Sequence, residues 1–344
     1  MSGEPAKDDE LGRRLVEATK EDFPHWRTGT RAAHSHGIGA VGWFEASDVA
    51  NRRCTAKHFS GERIPVVIRF SNGSGERREY DRTTDARGLA VKFFAGTSDE
   101  TDMIAMSMPV FFVRDPEKFI AFSKIGVPTA TKGPGFLRRV KDELRLLPTP
   151  KPNPYNSPIA PRSDALLEWA RKHPESKGPI AGLGSLVTPA SYARCAYHGV
   201  HSFVLRDSAN VETVVRYSWW PVQGVRPADR TSAGLPENYL HAELRQRLAS
   251  GPFEFTLQFL VADDGDHIDD PTVALDHNHR IRMIGGRLVV TGLDEFGEGC
   301  EPLSFNPTRV IDGFGMSDDR ILAARGHAYR VSSADRHDVN TSTT

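Results

Sequence analysis

The chain has 344 residues, long enough for one large domain or two ordinary ones, and carries 44 basic against 45 acidic side chains. Near-neutral charge excludes a global field that recruits nucleic acid or an anionic membrane, so small molecules or further copies of the chain are the expected partners. Three widely spaced cysteines, Cys54, Cys195 and Cys300, form neither a disulfide framework nor a zinc motif.

In chain order, residues 1–9 are small and charged and are expected to fray, and Glu10–Asp22 has the spacing of a short amphipathic helix with Leu11, Leu15 and Val16 inward. The N-terminus has no apolar core of signal-peptide length, and no run approaches a membrane span, so a soluble, cytoplasmic protein is expected. Residues 1–25 read as an N-terminal helical arm and 26–340 as a single domain. From Gly29 to Ser47 the chain alternates with period two around several glycines, predicting extended backbone that comes close to something flat or turns sharply.

Val66–Asn72 and Gly88–Phe94 are rich in branched and aromatic residues and predict two strands, antiparallel across a long charged connection. Met103–Val113 is apolar with Pro109 inside it, predicting a bend rather than a continuous central strand. Asp115-Pro116 opens a helix, with Asp as cap and Pro in the first turn, running through Phe119 and Phe122. Gly133–Leu147 reads as a helix, Pro148–Pro161 with six prolines as a loop, and Asp164–His173 as a helix. Cys195–Leu205, Val211–Trp220, Phe253–Ala262 and Arg287–Gly292 alternate as strands, with Trp219 and Trp220 on opposite faces. About eight strands with segregated helices predict an α+β fold whose antiparallel sheet closes into a barrel.

The last helix is expected over Ser317–Arg336. Four residues apart on it, Arg325 and Tyr329 share a face, to which Arg336 returns eleven residues after Arg325. A phenol titrates near 10, so a cation one turn away is what an anionic phenolate ligand needs. Taken alone, such a pair is more often a stacked surface contact.

The segments RAAHSHGIGAVGWFE, VVIRFSNGSGE, DARGLAVKFF, PVFFVRDPEKF and RGHAYRVSSADR resemble, in the same order, the signature segments of haem catalases. The resemblance spans Gly29 to Arg336 and is closest to small catalase-related peroxidases, which keep only the haem-binding core. It implies haem b, with Tyr329 as proximal iron ligand and Arg325 as the cation beside it. It also implies His34 as distal histidine supported by Ser71, Arg31, Arg69 and Arg336 on the haem propionates, and Phe119 above the porphyrin. Where large catalases carry a distal asparagine, Met106 stands here, and a thioether donates no hydrogen bond. Ser107 is the neighbouring hydroxyl that could replace it.

The implied activity is reduction of hydrogen peroxide or small organic hydroperoxides by a small organic electron donor, with weak catalase turnover. A true catalase, a peroxide isomerase and a non-catalytic haem module are the competitors, and Ala33 speaks against the isomerase. Assembly into a homo-oligomer is also an expectation of the resemblance. His36 is expected on the same strand face as His34, without a ligand role. Structural hydrogen bonds are expected for His198 and His201, loop positions for His277 and His279, and His327 is expected to face away from Tyr329.

Overall fold

The computed structural model describes residues 4–21, 23, 26, 28–77, 79–83, 85–96, 99–125, 163–228, 235–295 and 299–341. The helix and the proline-rich loop expected between 133 and 161 lie outside the described residues.

Among the described residues ten strands form one antiparallel sheet: β1 Gly37–Ala46, β2 Arg63–Asn72, β3 Arg87–Phe94, β4 Glu100–Met106, β5 Tyr197–His198, β6 Phe203–Arg206, β7 Glu212–Pro221, β8 Phe253–Val261, β9 Arg282–Leu293 and β10 Phe314–Met316. Eight of them close a barrel in the order β1-β2-β3-β4-β5-β7-β8-β9, the ring being completed by pairing of β9 with β1 and of β7 with β8. The other two extend it: β6 continues along the β7 edge that β5 occupies further on, and β10 pairs with β6. The single strand expected over Cys195–Leu205 is thus two, because residues 199–202 leave the ladder between them.

Inward-facing residues fill the barrel with rings. Phe44 meets Phe93 and Trp219 edge-on, with centroids 5.3 and 5.9 Å apart, and all three are fully buried. Trp219 points in and Trp220 out, as the alternation predicts. Arg69 and Ser71 on β2 alternate with the core residues Ile68 and Phe70, yet they too are buried, because helices cover the outer face of this part of the barrel.

The helices are α1 Glu4–Glu21, α2 Asp48–Arg53, α3 Pro116–Ser123, α4 Ser163–Lys172, α5 Lys177–Gly184, α6 Tyr239–Ser250 and α7 Arg320–Thr341. Helix α1 begins at Glu4, six residues before the expected start, and packs along α7 and α3. A Cβ at Gly12 would lie 3.0 Å from the backbone and Cβ of His327, so glycine permits this crossing. Asp115 caps α3 through the amides of Glu117 and Lys118, with Pro116 in the first turn, as expected. Helix α7 continues past Arg336 to Thr341.

A buried charge cluster anchors the chain ahead of α7. Asp102 on β4 accepts from Lys92 Nζ at 2.9 Å and from Arg309 Nη1 at 2.9 Å, tying the turn before β10 to the barrel. Removing one partner would strand a buried charge, at a cost of about 3–5 kcal/mol. Among the described residues no helix is long and apolar enough to cross a membrane.

Candidate active site

Between the outer face of β2–β5 and the helices α1, α3 and α7 lies a cavity of about 520 Å³. All nine residues singled out from the sequence line it: His34, Ser71, Met106, Arg31, Arg69, Phe119, Arg325, Tyr329 and Arg336. Positions separated by up to 305 residues in the chain therefore share one chamber, with His34 and Ser71 on the barrel wall and Tyr329 on the helical wall.

His34 does not belong to a strand, since β1 begins only at Gly37 and His34 adopts a left-handed backbone with φ +57°. The expectation that His36 shares its strand face is thereby corrected: a residue in that conformation breaks the alternation, and His36 turns to a separate cluster with His241. Left-handed backbone at a non-glycine costs about 1–3 kcal/mol and persists only where neighbours dictate it. Here the amide of His34 donates to the Gly73 carbonyl at 3.1 Å, and its own carbonyl accepts from Arg69 Nη1 at 2.7 Å.

The imidazole Nδ1 lies 3.0 Å from Ser71 Oγ. Burial, followed by the fields of Arg69 and Arg325, lowers the His34 pKa to about 4, so the ring is neutral at physiological pH and able to take a proton.

On the helical wall, Arg325 Nη2 donates to the Tyr329 hydroxyl at 3.2 Å. Its Nη1 lies 2.8 Å from His201 Nε2, and His201 Nδ1 lies 2.6 Å from Asp319 Oδ2. A guanidinium has no acceptor, so Nε2 must accept and Nδ1 must carry the proton that goes to Asp319. Burial lowers His201 to about 4 against the opposing bond to Asp319, consistent with this neutral tautomer. Asp319 Oδ1 also accepts from the amides of Ile321 and Leu322 and so caps α7. Asp319 and His201 hold Arg325 against Tyr329; sequence reasoning found the hydrogen bonding of His201 but not its partners. His201 lies in the excursion between β5 and β6, and the interrupted alternation around Gly199 is the sequence signal for it.

The remaining arginines gather at one end. Arg69 Nε donates to Glu301 Oε1 at 2.8 Å, while Arg31 Nη2 reaches the carbonyls of Cys300, Glu301 and Leu303 within 3.2 Å. Arg31 Nε is buried without a hydrogen-bond partner, 3.7 Å from Glu301 Oε2. Arg336 Nη1 donates to the Ser332 carbonyl at 3.2 Å. Burial and Arg69 lower Arg31 to about 9, and burial likewise lowers Arg336. Against burial, which disfavours its charged form, Arg69 and Arg31 hold Glu301 below the usual carboxylate range. Glu301 is the second residue the motifs did not reveal.

Met106 occupies the cavity wall beside His198, its cross-strand partner, whose Nδ1 is 2.9 Å from Ser218 Oγ. Ser107 takes no part: its hydroxyl accepts from the Arg87 amide at 2.9 Å, and it does not line the cavity. Phe119 stacks on Phe111 at 5.5 Å, and Phe111 in turn lies under the Arg325 guanidinium.

These residues fit a flat, apolar dianion. Three buried guanidiniums face one carboxylate, an excess of two positive charges at the end where one donor is unpartnered, and a haem carries two propionates. The rest of the lining is dominated by aliphatic and aromatic side chains. A phenol with an adjacent cation stands on one wall and a neutral imidazole on the other.

Comparison with known proteins agrees with this chemistry. A family model described as Catalase matches residues 13–133 and 136–343. A catalase-related peroxidase of Synechococcus elongatus is 28% identical over 309 residues, covering 90% of this chain and 84% of that one. A catalase-related peroxidase of Mycolicibacterium paratuberculosis is 30% identical over 307 residues, covering 88% of each. Catalase HPII of Mycobacterium avium is 28% identical over 325 residues, which is 89% of this chain but 42% of that protein. A crystal structure of a fungal catalase shares the fold, with a TM-score of 0.73 at 24% identity over 94% of this chain and 62% of that one.

Proposed function

The chain belongs to the catalase family, and from that premise we propose that it is a haem b peroxidase that reduces hydrogen peroxide or small organic hydroperoxides with a small organic electron donor and dismutates peroxide weakly. The observation that carries this reading is the convergence of His34, Ser71, Tyr329, Arg325 and the three arginines on one cavity. Tyr329 would hold the iron through its phenolate oxygen, Arg31, Arg69 and Arg336 the two propionates, and Phe119 a face of the ring. Bound haem supplies the redox-active iron at which a peroxide O–O bond can be cleaved.

The chain's own part is binding and proton movement. With its proton on Nδ1 toward Ser71, the His34 ring would have Nε2 free to accept the proton of the near peroxide oxygen and return it to the far one. Arg325, held by His201, donates a charged hydrogen bond to the Tyr329 oxygen and so fixes the direction of the phenol. The many aliphatic and aromatic side chains of the lining lower the local dielectric, which strengthens each of these interactions.

Met106 is what favours peroxidase over catalase. Dismutation requires a second peroxide to be held in reach, and a thioether offers it no donor, whereas an amide donor would contribute about 1–3 kcal/mol. A haem carrier would need neither His34 nor its bond to Ser71. The test is optical and gasometric: purified protein is expected to bind haem, change spectrum on adding peroxide and oxidise a chromogenic donor with little oxygen release. Vigorous oxygen evolution without donor would establish dismutation instead, and a colourless protein made with ample haem would overturn the reading.

A further inference from the structure

Two residues beyond His34 the chain builds a second cluster, none of whose members lines the cavity. The rings of His36 and His241 are stacked, with centroids 4.2 Å apart and planes within 4°. One ligand atom from each ring and one oxygen of Asp81 all lie within 4.8 Å of one another. His36 is 7% exposed and Asp81 fully buried.

The hydrogen bonds define what each atom can still do. His36 Nδ1 is 3.0 Å from the Arg77 carbonyl, which can only accept, so Nδ1 carries a proton and Nε2 is the nitrogen that faces Asp81. That Nε2 is buried, has no hydrogen-bond partner, and lies 3.3 Å from Asp81 Oδ1. Asp81 Oδ1 accepts from Asn72 Nδ2 at 3.0 Å and Oδ2 from the Leu240 amide at 2.7 Å. His241 Nε2 is also buried without a partner. Two buried imidazole nitrogens without a hydrogen-bond partner and a buried carboxylate thus meet at one place, an arrangement that a bound cation would satisfy.

We propose that His36, Asp81 and His241 form a three-ligand site for a divalent transition-metal ion of the zinc class, separate from the Tyr329 cavity, with one imidazole turning out of the stack so that both nitrogens aim at the ion. Two nitrogens and one carboxylate oxygen are a ligand set such an ion takes with a fourth position left open. Hard cations such as magnesium, which demand several oxygens, do not match it. The cationic side chains Arg69 and Arg245 act on His241 and oppose any cation, which further selects for an ion that binds imidazole strongly.

The ion braces the chain where the proposed chemistry needs rigidity. The three ligands come from the segment presenting His34, from the β2–β3 connection and from α6, segments already linked by the Asn72 amide to the His36 carbonyl and by Leu240 to Asp81. Asn72 is adjacent to Ser71, so the clamp sits directly behind the pair that holds the His34 ring.

The test uses untagged holoprotein exposed to zinc, dialysed, and analysed for zinc and iron together. Wild type is expected to retain about one zinc per chain beside its haem iron. His241→Ala and Asp81→Asn are expected to fall to background zinc with the haem content unchanged. X-ray absorption at the zinc edge should show nitrogen and oxygen neighbours at about 2.0–2.1 Å with the outer-shell scattering of imidazoles. Zinc absent from wild type, retained equally by both variants, or bound without imidazole would each overturn the proposal. Should the variants fail to fold, thermal unfolding of wild type decides: zinc raises the midpoint and magnesium does not, and an unchanged midpoint with zinc refutes the site.

Discussion

The pair His34–Ser71 can be displaced without touching either residue. Gly88 on β3 is paired with Ser71 and with Met106, and a Cβ built there would lie 2.7 Å from Ser71 Oγ, 2.8 Å from His34 Nδ1 and 2.9 Å from His34 Cε1. Ordinary contact begins at 3.4 Å, so the shortfall from 3.4 to 2.8 Å forces the ring back by about 0.6 Å. Both backbone polar groups of His34 are bonded, to Gly73 and to Arg69, so the backbone does not carry the displacement and the ring must turn about its side-chain torsions. Gly88→Ala should therefore break the bond to Ser71 and move the proton acceptor away from the peroxide.

Ser71→Ala sets the scale, since losing one hydrogen bond worth about 0.5–1.5 kcal/mol slows the reaction roughly 2- to 13-fold. Moving the ring as well should cost more, about tenfold to a hundredfold, given that general acid–base catalysis contributes about 10²–10⁴ and that misplacement of about 1 Å can cost 10². The assay is stopped-flow reaction with peroxide at matched haem content, which separates loss of chemistry from loss of cofactor. A Gly88→Ala protein with full haem and a rate within twofold of wild type would refute the placement of His34 as the proton acceptor.

Met106→Asn restores an amide on the cavity wall and should raise oxygen evolution relative to donor oxidation, up to about 5- to 150-fold for a bond of about 1–3 kcal/mol; an oxygen electrode showing no gain contradicts the account of the missing donor. Arg336→Leu removes one of three guanidiniums from the charged end and should weaken haem binding roughly 10- to 150-fold, the worth of a charged hydrogen bond, as read by transfer of haem to apomyoglobin. With its pKa lowered to about 4, His34 stays neutral and proton-accepting across ordinary pH, so the peroxide rate should be flat above about pH 5 and fall as pH drops through about 4. A midpoint near the ordinary imidazole value would mean that the arginines and burial do not act on it as described. His58 is fully buried, neither ring nitrogen has a hydrogen-bond partner, and burial lowers it to about 3. The unfolded chain takes up that proton first as pH falls below about 6.5, so His58 costs stability on the acid side, about 2 kcal/mol at pH 5. His58→Phe should remove that pH-dependent loss in denaturant titrations.

The parts legible in the sequence were those written in short contiguous segments. The phenol and guanidinium four residues apart on α7, the Asp115 cap and the alternation of β2 and β3 need only local geometry to be read. Two kinds of feature were not legible. Left-handed backbone at His34 is dictated by contacts to Gly73 and Arg69, up to 39 residues away, and no local pattern announces it. Glu301 and Asp319 complete charge networks with Arg69 and His201 across separations of 232 and 118 residues, and acidic residues in loops carry no signature of such pairing.

The same distinction explains why His36 was misplaced and why it matters. A period-two pattern assigns His34 and His36 to one face, but a single left-handed residue reverses the relation and sends the second ring to the other side of the loop. The loop therefore serves two clusters, one through His34 toward the cavity and one through His36 toward Asp81 and His241. The strain at His34 and the burial of two unpartnered imidazole nitrogens behind it are both unfavourable taken singly. They become consistent if a cation behind the loop holds the backbone in the conformation that aims His34 into the cavity.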